Sequence, residues 1–281
     1  MLYLYYRETL IFTDKIHFLH TTYLLTLLLH FKNINNTRNL MTFDFFEILL
    51  LSAIQGISEF IPVSSSAHLF IISDIYNFNV KSLLTDIGLH LGSLLAIITY
   101  FHSDLSNIFK NKNLLFLMIY GSIPVVIVGA ILYQTNFISY LRNIEIIAWT
   151  TLIFAILLYF ADKIKVNKKL NAKLDLKTIF IIGCFQILAL IPGVSRSGIV
   201  ITAGRFLGFD RYDSTKISFY LSIPVIAGAS FLGLKDFYKE TIDFNSVILF
   251  TVFLSYFFSY FTIKYFLIFV KKFDLKFFVI Y

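Results

Sequence analysis

The feature that most limits what this chain can become is a set of four stretches without a single Asp, Glu, Lys or Arg, at residues 114–133, 178–195, 217–234 and 244–263. Each approaches the roughly 20 residues that an α-helix needs to cross the hydrocarbon core of a bilayer. Shorter uncharged runs at 48–58, 60–73, 87–101 and 146–161 add further spans, broken helices, or segments that enter the membrane and turn back. Lipid offers no partner for unpaired backbone, so such segments must satisfy their own hydrogen bonds, as helices do. The expectation is an all-α, polytopic membrane protein with about eight membrane elements. Composition agrees: 58% of the residues are hydrophobic and 15% charged, too few charges for a water-soluble domain of 281 residues.

The net charge of +7 does not point to nucleic acid, because the lysines gather between apolar windows. Residues 162–177 hold six Lys and two Asp, whereas 235–243 hold two Lys and three acids. That asymmetry places the first loop in the cytoplasm, the second outside, and the tail with Lys271, Lys272 and Lys276 back in the cytoplasm. The single cysteine, Cys184, lies inside an apolar window, which excludes an intramolecular disulfide and a thiolate metal cluster.

Residues 1–40 mix Tyr, His, Asn and Thr with short apolar runs and lack a small-residue cleavage site, so they read as an extension or an overcalled start rather than a signal peptide. A single membrane domain over 41–281 follows. Within it, the segment from Ile54 to Ala67 overlays Phe185 to Gly198 without a gap, matching a Gln, a Val and two Ser. A second echo pairs Ser122-Ile123-Pro124-Val125 with Ser222-Ile223-Pro224-Val225. Two homologous halves, about 41–161 and 178–281, account for both. Repeated halves in membrane proteins often run in opposite directions and share a site at interrupted helices near the bilayer midplane.

The polar residues are where the chemistry is expected. A carboxylate at Glu59 costs roughly 2.5–3.5 kcal/mol if it faces lipid, so it must face a cavity or a partner. Gln55 is four residues earlier and Ser52 three before that, which draws a polar stripe along one helical face. Pro62 and the run Ser64-Ser65-Ser66-Ala67-His68 break that helix. For the serines the plain alternative is helix capping, and for His68 a satisfied buried imidazole. In the second copy, Pro192-Gly193-Val194-Ser195-Arg196-Ser197-Gly198 places a guanidinium in an apolar region. Its planar fork suits phosphate oxygens, while Gly193 and Gly198 let backbone N–H groups approach an anion at a helix start. The alternative for Arg196 is a purely structural ion pair with Glu59.

At these residues the sequence resembles the undecaprenyl-diphosphate phosphatase, or bacitracin-resistance, family. Residues Gln55 to His68 are similar to its first motif and Pro192 to Gly198 to its second, with further likeness around Leu91–Ala96, Gly183–Gln186 and Ser218–Pro224. The resemblance implies hydrolysis of undecaprenyl diphosphate to the monophosphate and inorganic phosphate, recycling the lipid carrier for peptidoglycan synthesis and conferring bacitracin resistance. It implies an inner-membrane enzyme whose site opens to the periplasm, inverted repeats with re-entrant helices, and a divalent cation, Mg²⁺ or Ca²⁺. By position, Glu59, Ser65, His68 and Arg196 become catalytic residues, and Ser195, Arg196, Ser197, Gly193 and Gly198 bind substrate. Glu59 and Gln55 become metal ligands. Partners are then a polyprenyl diphosphate lipid and the surrounding membrane lipids, with the choice between monomer and homodimer left open.

Two departures matter. Gln55 stands where many members carry a second Glu, which removes a hard, negative metal ligand. Val200 stands where the motif ends in Thr, and Thr202 lies about 200° further round the helix. The nucleophile stays open among His68, Ser65 and water. A transporter of anionic lipids is the rival reading, because interrupted repeat helices also serve transport; the pairing of Glu59 with His68 favours hydrolysis.

Overall fold

A computed structural model describes residues 40–76, 83–110, 112–135, 137–167, 170, 174–237 and 246–281. The chain divides into two compact units, Met1–Phe46 and Glu47–Tyr281. Apart from the helical residues 40–46, the first unit lies outside the described residues, including the extension expected at 1–40. The second unit carries everything below.

The helices run in order as α1 (Leu40–Ser58), α2 (Ser65–Tyr76), α3 (Leu83–Tyr100), α4 (His102–Lys110), α5 (Lys112–Thr135), α6 (Phe137–Leu141), α7 (Ile144–Asp162), α8 (Leu176–Ile187), α9 (Arg196–Phe206), α10 (Arg211–Phe237), α11 (Ser246–Lys272) and α12 (Lys276–Ile280). A 3₁₀ turn, Leu188–Leu190, extends α8. Among the described residues four stretches are long and apolar enough to cross a membrane: Leu115–Thr135, Ile144–Asp162, Arg211–Leu234 and Val247–Lys272. Large apolar side chains such as Phe116, Ile127, Trp149 and Phe253 lie exposed on these helices. In water such belts would aggregate; in a bilayer they face lipid. The protein is a multi-pass membrane protein.

One uncharged window behaves differently from its expectation. Residues 178–195 do not form a span: α8 stops at Ile187, and after the 3₁₀ turn the chain bends into an irregular loop. The ends show why this segment turns back. Asp162, at the foot of α7, takes Arg211 Nε at 2.7 Å and Arg205 Nε at 3.4 Å, and accepts from Leu275 N at 3.0 Å. Arg205 Nη2 also donates to the carbonyls of Asp162 and Ile164 at 2.8 Å. Leu170 N reaches Asp213 Oδ2 at 2.9 Å. The loop leading into α8 and the foot of α9 therefore meet at one face, so α8 and α9 form a re-entrant hairpin. The chain after α11 returns to that same face.

Small residues let the hairpin sit close to its neighbours. A Cβ on Gly183 of α8 would collide with the carbonyl of Gly121 in α5. The other half is anchored by aromatic packing: Phe60, fully buried, meets Phe219 edge-on at 5.4 Å and joins a cluster with Phe101 and Phe266. Phe60 thereby fixes in the core the turn that carries its neighbour Glu59. Pro124 and Pro224 lie inside α5 and α10, each without the N–H that a helix interior uses.

Candidate functional site

The first motif breaks its helix one residue before Glu59. After α1 ends at Ser58, Glu59 N still donates to Gln55 O at 2.9 Å, and the chain then turns through Pro62 to Ser64. Ser64 has φ +64°, a left-handed conformation that a side chain with a Cβ disfavours by roughly 1–2 kcal/mol. The turn is held nonetheless, because His68 Nδ1 lies 2.7 Å from the Ser64 carbonyl. A carbonyl only accepts, so Nδ1 is the protonated nitrogen, and the Tyr281 hydroxyl 3.0 Å from Nε2 donates to it. Both rings also stack, at 5.8 Å.

The second motif is built the same way. Ser195 caps α9, its Oγ accepting from Gly198 N at 3.1 Å, and Arg196 is the first helical residue. Thr150 and Thr151 of α7 hold the preceding loop by donating to the carbonyls of Pro192 at 2.7 Å and Gly193 at 3.2 Å. Gly193 has φ +91°, and a Cβ there would collide with Thr150 Oγ1. Its glycine is thus required by backbone shape and by contact with α7. Gly198 differs from the expectation as well: its N–H already bonds to Ser195 Oγ and is not open to an anion, and it packs against Pro62.

The two breaks dock on each other. Ser197 Oγ donates to Ile61 O at 2.7 Å, and Arg196 Nη2 lies 2.9 Å from Glu59 Oε1. Glu59 Oε2 accepts from Gln55 Nε2 at 3.0 Å and from Ser65 Oγ at 2.6 Å. Glu59 is buried and Arg196 nearly so, with side-chain exposures of 7% and 12%. Arg196 Nη1 is buried without a hydrogen-bond partner among the described residues, and so is Gln55 Oε1. A buried cationic N–H without an acceptor is costly, and an anion within its reach would relieve that cost.

That cavity, of about 170 Å³, is lined by Glu59, Ser64, Ser65, Ser66, His90 and Arg196 with Val194, Ala189, Val225, Ile226 and Ala229. It brings together Glu59, Ser65 and Arg196, with Gln55 behind Glu59. His68 faces a different, larger cavity of about 450 Å³, which Ser195, Gly193 and Gly198 also line and whose other walls are mainly apolar residues of α7 and the 278–281 segment. Ser197 points to Ile61 instead of either ligand space. Val200 is buried in the core, and Thr202 donates to Gly198 O at 2.7 Å, so neither offers a hydroxyl to the site.

His90 is the residue that the sequence reading passed over. It lies in an apolar run of α3, where one histidine among leucines reads as core. Its one sequence signal is polar neighbours at helical spacing, Asp86 and Ser93.

The chain matches the family described as bacitracin resistance protein BacA over residues 48–281. It is 56% identical over 236 residues to a protein named undecaprenyl-diphosphatase from Pelagibacter ubique (strain HTCC1062), covering 84% of this chain and 92% of that one. Proteins of the same name from Elusimicrobium minutum (strain Pei191) and Saccharophagus degradans are 39% and 37% identical. The first comparison covers 83% of this chain and 92% of the relative, the second 85% and 94%.

Proposed function

The chain belongs to the bacitracin resistance protein BacA family, and from that membership we propose a residue-level account of its reaction, the hydrolysis of undecaprenyl diphosphate to undecaprenyl phosphate and inorganic phosphate. It is an undecaprenyl-diphosphatase, and its activity recycles a lipid carrier and confers bacitracin resistance. We place it in the bacterial inner membrane with the site open to the periplasm; the lysine-rich loop 162–177 on the opposite, cytoplasmic side supports that orientation.

The observation that carries the account is the docking of Glu59 and Ser65, from one break, against Arg196 from the other, around a cavity that all three line, with Arg196 Nη1 buried and unpaired among the described residues. Arg196 binds the terminal phosphoryl group and stabilises the charge that develops on its oxygens. Glu59, 2.6 Å from Ser65 Oγ, takes the hydroxyl proton as that oxygen attacks the terminal phosphorus. The bond to the bridging oxygen breaks, the proton passes from Glu59 to the departing phosphate, and undecaprenyl phosphate leaves with Glu59 again ionised. Water, deprotonated by Glu59, then cleaves the phosphoserine. His68 acts from behind the turn: by bonding to the Ser64 carbonyl it holds Ser64 to Ser66 in the orientation that presents Ser65.

A divalent cation of the Mg²⁺ or Ca²⁺ type would be held by the Glu59 carboxylate, with Gln55 Oε1, a buried oxygen without a hydrogen-bond partner among the described residues, as a second donor from the protein. With only one carboxylate, itself paired with Arg196, the remaining ligands would be substrate phosphate oxygens and water. Such an ion supplies neutralisation of charge on the diphosphate. The prenyl chain leaves through the larger cavity, whose apolar walls on α7 open toward lipid and which shares the loops of both motifs.

The test is a rapid acid quench of the purified protein with substrate labelled in the terminal phosphate. Labelled phosphoserine in the unmodified chain, absent in Ser65→Ala, is the expected result. Turnover with no labelled protein, surviving in Ser65→Ala, would assign the attack to water.

A further inference from the structure

The site cavity contains an imidazole other than that of His68, and its bonding fixes what it can do. His90 Nδ1 lies 3.2 Å from Gln55 Nε2. The orientation of the Gln55 amide follows from its other neighbour: Nε2 is 3.0 Å from Glu59 Oε2, and a carboxylate only accepts. The amide nitrogen therefore faces both groups, and its second N–H points at His90. His90 Nδ1 must accept it, so the neutral ring carries its proton on Nε2. With the Nδ1 edge engaged by Gln55, the half-buried ring offers its Nε2 edge to the cavity that it lines together with Arg196, Ser65 and Ser66.

We propose that His90 is a substrate-binding residue: its Nε2–H donates a hydrogen bond to a phosphate oxygen of the diphosphate held by Arg196. The inference rests on the phosphatase reading and extends it. Arg196 alone presents its fork from the second motif, and the chain of Arg196, Glu59, Gln55 and His90 carries that orientation across to α3. The two imidazoles thus have opposite tautomers and separate tasks. His68 is protonated on Nδ1 and spends that donor on the Ser64 backbone; His90 is protonated on Nε2 and keeps its donor for the ligand. No proton transfer is assigned to His90.

Two amide substitutions separate the edges of the ring. In His90→Gln the longer side chain places an N–H where Nε2 stood. In His90→Asn the shorter amide reaches only the Nδ1 position, so it can still accept from Gln55 but offers the cavity nothing. The full-length protein in detergent or nanodiscs is assayed for KM and kcat on undecaprenyl diphosphate, and for binding of methylenediphosphonate, with unfolding temperature as the fold control. His90→Asn is expected to raise KM and weaken methylenediphosphonate binding about 10- to 100-fold, the range for a lost hydrogen bond to a charged group. Its kcat and unfolding temperature stay near the unmodified values. His90→Gln is expected to restore both affinities to within about fivefold. Unchanged KM and analogue affinity in His90→Asn would overturn the proposal, as would equal losses in the Asn and Gln variants. Absence of turnover in the unmodified protein would strike the phosphatase reading instead, and the methylenediphosphonate affinities would still judge His90.

Discussion

In the first motif the chain leaves α1 at Ser58, passes Glu59 and Pro62, and starts α2 at Ser65; in the second it leaves α8 at Ile187, passes Pro192 and Gly193, and starts α9 at Arg196. In the gapless overlay of the two copies, Ser65 and Arg196 are equivalent, and each opens a helix. The residues before them differ in kind. Gln55 bonds to Glu59 and His90, whereas its counterpart Gln186 is fully buried with neither amide atom partnered among the described residues. Glu59 falls opposite Leu190. Both motifs thus sit at a helix–loop–helix break, one carrying the acid and the hydroxyl, the other the cation. A site for a charged group in lipid needs both signs, and neither break alone supplies them.

The sharpest way to break this comparison is to remove the charges singly and together. Glu59→Gln and Arg196→Gln each leave one buried charge alone and are expected to destabilise the protein by about 3–5 kcal/mol. The double variant leaves neither charge and should recover most of that stability. Activity should stay down by at least about a thousandfold in all three, since the double variant lacks both the proposed base and the proposed phosphate clamp. Unfolding temperature and phosphate release, measured on the same preparations, separate the two effects. Recovery of activity in the double variant would reduce the pair to a structural contact.

A second pair of substitutions probes how each break is held. Gly193→Ala forces a Cβ into a left-handed residue and against Thr150, and should lower stability by about 2–4 kcal/mol. Ser64→Gly relieves a left-handed residue instead and should raise stability, by less than about 1 kcal/mol. It should also slow turnover about tenfold, because the turn that aims Ser65 gains freedom. Equal losses of stability at both positions would mean that the two turns are held by packing alone.

How far these features were legible depends on their range. The uncharged windows mark where helices run because the bilayer acts on every residue in a stretch, and each window contains a helix. Whether a window crosses depends on contacts that no stretch contains: residues 178–195 turn back because Arg205 and Asp213, beyond their far end, are tied to the loop after Asp162 that leads into their near end. Glu59 and Arg196 stood out because charge in lipid is expensive wherever it sits, so their pairing could be anticipated from composition. His90 is uncharged when neutral and sits in a window of ordinary helical composition; only the approach of α1 gives it a role. His68 was legible as a motif residue, but its bond to Ser64 and its place on a different cavity from Glu59 depend on a conformation at Ser64 that no spacing encodes.

The smallest expected effect comes from a contact between the halves that lies away from the site. Asp104 of α4, outside the membrane spans, accepts from Lys216 Nζ at 2.7 Å and from the Tyr220 hydroxyl at 2.7 Å. Partial burial pushes its carboxyl up, but the bonds from Lys216 and Tyr220 outweigh that and hold it below the ordinary range. A carboxyl lowered on folding stabilises the protein above its unfolded value, and the contribution disappears as pH falls through the lowered one. Because the group is more than a third exposed, the contribution is no more than about 0.5 kcal/mol. Asp104→Asn should therefore flatten the acid side of the stability profile slightly and leave phosphate release at neutral pH within about twofold. If that substitution instead reduced turnover as strongly as the changes at Glu59 and Arg196, the register of the two breaks would be set at this outlying contact, and the local docking of Ser197 on Ile61 would not suffice to hold them together.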